Sequence, residues 1–136
     1  LIRTQNFKYN SDALETFTQE IEKKMAYSGS QNPWCDTLLT MGIYPTEMEL
    51  FSRLPAGIGW QPIHHPKFLS QPVKSQYVWI NQKNFRSMYG GPNLDWIVEN
   101  KGDLVLLQFE NLKLRLQKLN SYYDSTLYKN MDAECH

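Results

Sequence analysis

Leu14, Phe17, Ile21 and Met25 fall at steps of three, four and four along SDALETFTQEIEKKMAYSG, with polar residues between them. One apolar stripe at that spacing predicts an amphipathic helix over 12–28. Asp12 and Glu15 stand at capping-box spacing, Lys23 and Lys24 suit the negative end of the dipole, and Gly29 supplies a stop. NPWCDTLLTMG reads as a second, short helix with Asn32 as cap, Pro33 at the first helical position and Gly42 at the close. YPTEMELFSRLP reads as a third, with Thr46 and Glu49 as its cap pair, Met48, Phe51 and Leu54 facing inward and Pro55 as its stop. These two short helices occupy 33–54.

The pattern then breaks. Residues 55–76 hold four of the seven prolines and two glycines, and 55–92 reads as an irregular, aromatic and basic segment. Its apolar content argues against a flexible linker, and ordered loops of this length are often functional. YVWIN (Tyr77 to Asn81), β-branched and aromatic, is the best strand candidate, without an obvious partner. QKNFRSMYGG fits one helical turn, and PNLDWIVEN a short helix capped by Asn93. From Asp103 a longer pattern begins. Val105, Phe109, Leu112, Leu116, Leu119 and Tyr123 recur at steps of four, three, four, three and four, a heptad seam. Leu106, Leu107 and Leu114 widen the apolar surface beyond that seam. LKLRL alternates as a strand does, but the segment is rich in Leu, Lys, Gln and Arg and nearly free of β-branched residues, so a long helix over 103–130 is favoured.

The expected fold is therefore a single mainly α domain over 1–136. It has four to six helices, a long irregular aromatic and proline-rich loop, at most one short strand pair, and a long C-terminal helix of coiled-coil character packing on the N-terminal one. With 136 residues, 41% hydrophobic and 21% charged, one globular domain with a real core is the expectation. The chain opens on Leu1 rather than methionine and is read as a fragment or processed form of a larger parent. No apolar run reaches bilayer length, so no membrane role is expected.

Charge sharpens the central segment. The net charge is zero, yet residues 50–94 carry no acidic group. Arg53, Lys67, Lys74, Lys83 and Arg86 are interleaved there with Phe51, Trp60, Phe68, Tyr77, Trp79, Phe85 and Tyr89. Cations among aromatic rings suit an acidic protein surface, or a single-stranded nucleic acid whose bases stack on the rings. Five cations over this stretch are sparse for a nucleic-acid binder, which makes a protein partner the first reading.

Candidate chemistry changes the picture little. Within GWQPIHHPKF, His64 and His65 are adjacent, and neighbours on an extended chain point to opposite sides. With His136, Cys35 and Cys135 they do not make zinc-ligand spacing, and the stretch reads as a loop stiffened by Pro62 and Pro66. Cys35 beside Trp34 reads as a buried inert thiol, and the pairs Glu20 with Glu22 and Glu47 with Glu49 as solvated or capping positions. Phosphate-loop, nucleophile-elbow, metalloprotease and calcium-loop patterns are missing. The two cysteines, one hundred residues apart, do not form a disulfide framework, and no Asn-x-Ser/Thr acceptor occurs. Both points favour a reducing compartment, hence an intracellular protein, cytoplasmic or nuclear.

The functional expectation is a non-enzymatic protein-interaction domain or complex subunit, with no catalytic residue, metal or cofactor. Trp60, His64, His65, Lys67, Phe68, Lys74, Trp79 and Arg86 are its expected partner-binding residues, and the heptad seam its second docking surface. The partner is another protein chain, in a hetero- or homo-oligomer; a nucleic-acid module using 50–94 is the alternative.

Overall fold

Most of the apolar pattern expected to be helical is strand. A computed structural model describes residues 10–63, 74–85, 97–109 and 112–135. Its core is one seven-stranded mixed sheet in the order β2-β1-β3-β7-β6-β5-β4. The strands are β1 Thr37–Met41, β2 Gly59–Ile63, β3 Tyr77–Asn81, β4 Ile97–Lys101, β5 Leu104–Phe109, β6 Leu112–Tyr122 and β7 Ser125–Asn130. β1 is parallel to both its neighbours, β2 and β3, and every other pairing is antiparallel. The mainly α, coiled-coil expectation is thus corrected to a β-sheet domain with few, short helices.

α1 (Ser11–Lys24) is the expected N-terminal helix with shifted ends. Asn10, not Asp12, caps it, its Oδ1 accepting from the Ala13 amide at 2.8 Å. It stops well before Gly29 because other groups capture the next amides. Ala26 donates to the Tyr77 hydroxyl (3.3 Å) and Ser28 to Asp36 Oδ1 (2.6 Å), while Met25 is already extended. The second expected helix keeps only a 3-10 turn, Pro33–Asp36, with Asn32 accepting from the Trp34 amide as foreseen. TLLTM continues as β1, flanked on both sides by parallel strands, where near-continuous apolar sequence is the rule. The third is a 3-10 turn, Pro45–Glu47, followed by the single turn α2 (Met48–Phe51). Phe51 is buried but Met48 is exposed rather than inward. YVWIN is indeed a strand, buried along its whole length between β1 and β7. It runs directly into α3 (Gln82–Phe85).

The long C-terminal helix over 103–130 does not exist; that chain is β5, β6 and β7. Leucines that alternate with polar residues bury one face of a strand: Leu114 and Leu116 are enclosed while Lys113 and Arg115 are exposed. Opposite them in the register stand Leu107 and Val105. A sheet that offers such partners overrides weak intrinsic propensity, since strand preference is mostly a matter of packing.

Each face of the sheet carries a core. Leu39, Met41, Val78, Ile80, Val105, Leu107, Leu114, Leu116 and Tyr128 meet on one face together with Phe85 of α3. On the other, Phe17, Ile21 and Met25 pack with Leu50, Phe51, Leu38, Trp79 and Leu127. Trp79 is the centre of that second core: its ring stacks on Tyr122 at 5.1 Å and meets Phe17 and Phe51 edge-on at 5.8 and 5.3 Å. β6 serves both faces because it bulges between Lys118 and Asn120, where its register on β7 shifts. Before the bulge Leu114 and Leu116 feed the first core; after it Tyr122 feeds the second.

The cysteines are also corrected. Cys35 and Cys135 are disulfide-bonded, with Cα atoms 5.7 Å apart, so Cys35 is buried as half of a cystine rather than as a thiol. The bond ties the tail beyond β7 to the turn that leads into β1. A paired cystine, unlike two free thiols, gives no support for a reducing compartment.

Candidate functional site

Of the residues expected to bind a partner, the structure describes Trp60, Lys74 and Trp79. Trp79 is fully enclosed in the core. Trp60, on β2 at the sheet's edge, is half-buried with its ring 5.0 Å from that of Phe51. Lys74 is exposed just before β3. His64, His65, Lys67, Phe68 and Arg86 lie outside the described residues. The expected helix-docking seam is not a seam: Val105 and Leu116 are core, Leu119 is half-buried against the opposite core, and Tyr123 is exposed in the β6–β7 turn at φ +56°. Phe109 and Leu112 are partners in the β5–β6 register.

Among the described residues the buried carboxylates hold the fold together, while Thr46 Oγ1 is buried without a hydrogen-bond partner. Glu47, 2% exposed, accepts from the Tyr44 amide (2.8 Å), Trp79 Nε1 (2.8 Å), Asn81 Nδ2 (2.7 Å) and the Ser125 hydroxyl. Four neutral donors converge on one carboxylate and bind the turn before α2 to β3 and β7. Asp36 accepts from the Ser28 amide and hydroxyl and fixes the segment after α1. Glu20 on α1 accepts from Asn120 Nδ2 (2.8 Å) and the Tyr122 hydroxyl (3.0 Å), clamping the helix to β6. Burial, then the Glu20 carboxylate, push the Tyr122 phenol above its ordinary value. Among the described residues no group of three or more His, Cys, Asp or Glu side chains is placed to hold a metal ion. No helix there is long and apolar enough to cross a membrane.

A groove of about 290 Å³, open to solvent, lies at the β4–β5 end of the sheet. Its walls come from Lys101, Leu104, Leu106, Arg115 and Met131, with Val105 and Leu116 behind them. The backbone explains the gathering. Gly102, at φ +63°, turns β4 into β5, so Lys101 pairs opposite Leu104. Leu106 pairs opposite Arg115. The Met131 amide donates to the Arg115 carbonyl at 2.8 Å, extending the β6–β7 ladder one residue past β7. Leu106, Arg115 and Met131 therefore form one row across three strands, on the face that α1 covers elsewhere. No residue of α1 lines the groove.

This patch is apolar where a solvated face should be polar. Leu104 is 52% exposed and Met131 47% exposed. Arg115 lies along its side, gripping Asp132: Nε donates at 3.0 Å to Oδ1 and 3.3 Å to Oδ2, and a terminal nitrogen donates to Oδ1 as well. That hydrogen bonding holds the Asp132 carboxyl below its ordinary value and raises the guanidinium. The register brings Glu99 opposite Leu106, two positions along β4 from Lys101. Sequence reasoning missed the groove, though a signal was present. LVLL is apolar at four consecutive positions, which a strand with one solvated face does not require.

No family model, no curated protein and no solved structure matches this chain.

Proposed function

We propose that this chain is a non-enzymatic protein-interaction domain, and that the groove between β4, β5 and β6 is where another protein chain docks. The observation that carries the reading is the pair of large apolar side chains, Leu104 and Met131, each about half exposed around an open groove. Exposed apolar surface rimmed by charge is the usual mark of a docking site. The commitment of Glu47, Asp36 and Glu20 to structural hydrogen bonds supports a binding role over acid–base chemistry. The nucleic-acid alternative needs open rings for stacking. In the acid-free segment Phe51, Tyr77, Trp79 and Phe85 are buried and Trp60 is half-buried, which weighs toward protein.

The test compares the tagged chain with a Leu104→Asp/Met131→Asp double variant in quantitative capture from nuclease-treated extract. Circular dichroism verifies that both are folded. Partners held by wild type should fall about tenfold or more in the double variant, the loss expected when apolar anchors are removed from an interface. A Lys24→Asp variant at the end of α1 should keep them. Equal recovery by wild type and double variant, or loss of every partner on nuclease treatment, would count against the reading.

A further inference from the structure

We infer that β4 is a self-pairing edge. Two copies of this chain join antiparallel through it, centred on Asn100, so that Glu99 of each copy stands opposite Lys101 of the other. This association is separate from docking in the groove and does not depend on it.

Among the described residues β4 has a strand on one side only, β5, and stands last in the sheet. A strand with one open side presents backbone donors and acceptors to a further strand. β2, at the opposite end, carries Pro62, which lacks an amide donor. IVENK carries neither proline nor glycine.

Backbone parity determines which residue presents its groups. The Lys118 amide donates to the Asp103 carbonyl at 2.7 Å, so Asp103 turns its backbone toward β6. These groups alternate sides from residue to residue, so Leu104 and Leu106 turn theirs toward β4. Their register partners, Lys101 and Glu99, turn theirs back toward β5. Asn100, between them, turns its amide and carbonyl outward. Two copies meeting antiparallel at Asn100 therefore exchange both bonds. The bulge between Ile97 and Glu99 confines the regular edge to these three residues, so the pairing is short and the dimer weak.

Charge selects the register and, with it, the occupant. Parity allows antiparallel self-pairings that differ in register by two. Centred on Asn100, the pairing holds two Glu99–Lys101 oppositions, their Cβ atoms about 4.5–5.5 Å apart. That is closer than the roughly 6.5 Å between the same two residues along one strand. A shift one way sets Glu99 against Glu99. A shift the other way sets Lys101 against Lys101 and Glu99 against Asp103. Opposed like charges disfavour both shifts. Glu99, Asn100 and Lys101 are thus their own complement, and a second copy is the partner they fit.

The experiment is sedimentation equilibrium of the full chain from about 10 μM to about 1 mM, the range in which a small interface associates. Wild type should pass from monomer to dimer as concentration rises. Asn100→Pro removes an outward amide hydrogen; it should stay folded by circular dichroism and stay monomeric. Glu99→Lys and Lys101→Glu each set like charges in both oppositions and should weaken association about tenfold. Mixed in equal amounts, these two variants regain both opposite pairs and should associate as wild type does. A fold defect or a different register would not give that rescue. A chain that is monomeric throughout, or a dimer that Asn100→Pro leaves intact, would overturn the inference. So would single variants that associate as wild type does, or a mixture no tighter than its components.

Discussion

Glutamine in place of Glu47 asks how much the buried carboxylate holds together. Oε1 accepts from the Tyr44 amide and Asn81 Nδ2; Oε2 accepts from Trp79 Nε1 and the Ser125 hydroxyl. Glutamine keeps the shape and exchanges one oxygen for an NH2 group. If the amide oxygen takes the Oε1 position, Tyr44 and Asn81 keep their acceptor, and Ser125 can rotate its hydroxyl to accept from the new NH2. The Trp79 N–H then faces a donor inside a closed core. The opposite flip orphans the Tyr44 amide and the Asn81 NH2 together, so the first arrangement wins. One orphaned buried donor costs about 1–3 kcal/mol, and the retained bonds weaken because an amide oxygen accepts less strongly than a carboxylate. Glu47→Gln should therefore destabilise the chain by about 2–4 kcal/mol, measured as the shift of the urea midpoint by tryptophan fluorescence at unchanged slope.

A double-mutant cycle isolates the cause. In a Trp79→Phe background the donor that glutamine would orphan is already gone. Glu47→Gln should then cost less by about 1–3 kcal/mol, a coupling in the range expected for contacting residues. A Glu47→Gln chain within about 0.5 kcal/mol of wild type, the range of featureless surface changes, would falsify the reading of Glu47 as the bond between α2 and the sheet. Strict additivity with Trp79→Phe would refute the assignment to the indole.

Three further outcomes are expected. Cys135→Ser opens a loop of one hundred residues, for which loop-closure entropy gives roughly 4.7 kcal/mol, so a loss of about 2–5 kcal/mol is expected in thermal unfolding; an unchanged midpoint with and without reductant would contradict it. Gly42→Ala combines a left-handed backbone (φ +68°) with a Cβ placed 2.8 Å from the Phe85 amide nitrogen, whereas Gly102→Ala (φ +63°) meets open space. The first should cost about 2–5 kcal/mol and the second only the backbone share of about 1–2 kcal/mol, and equal losses would refute the close packing of α3 on the end of β1. The Tyr122 phenol is raised by burial and by Glu20, so the folded state favours its neutral form. Its contribution is fully present below the unfolded value near pH 10 and is lost as pH rises past it. Tyr122→Phe should flatten the fall of the urea midpoint between pH 9 and 11 (about where the free phenol titrates), and parallel curves would rule the phenol out.

Local signals in the chain were read well where one element answers to its own sequence. Leu14, Phe17 and Ile21 share a face of α1, and Phe17, Ile21 and Met25, the last just past the helix end, are buried against the sheet. YVWIN is an interior strand, and Asn32 and Pro33 open a helical turn. What was not legible depends on partners distant in sequence. TLLTM is a strand because Gly59–Ile63 and Tyr77–Asn81 flank it on both sides. Cys35 meets Cys135 only because β7 runs antiparallel to β3 and delivers the tail beside the turn before β1. Lys101, Arg115 and Met131, remote along the chain, become a groove through a hairpin and one extra ladder bond.

The heptad over 105–123 shows how a strand pair imitates a coiled-coil seam. A step of four preserves strand parity, and Val105 to Phe109 lies within β5 as Leu112 to Leu116 lies within β6. The step of three between them crosses from β5 to β6, where Phe109 is the register partner of Leu112, so it is not a step along one strand. The next step of three, Leu116 to Leu119, falls on the bulge between Lys118 and Asn120, where the apolar side passes from one core to the other. The final step lands on Tyr123 in the next turn, 71% exposed, where a helical seam would have buried it. Threes and fours thus arose from two strands, a turn and a bulge. The alternation of LKLRL was the truer signal, because it lies within one strand, ahead of the bulge, and reports the two faces of that strand directly.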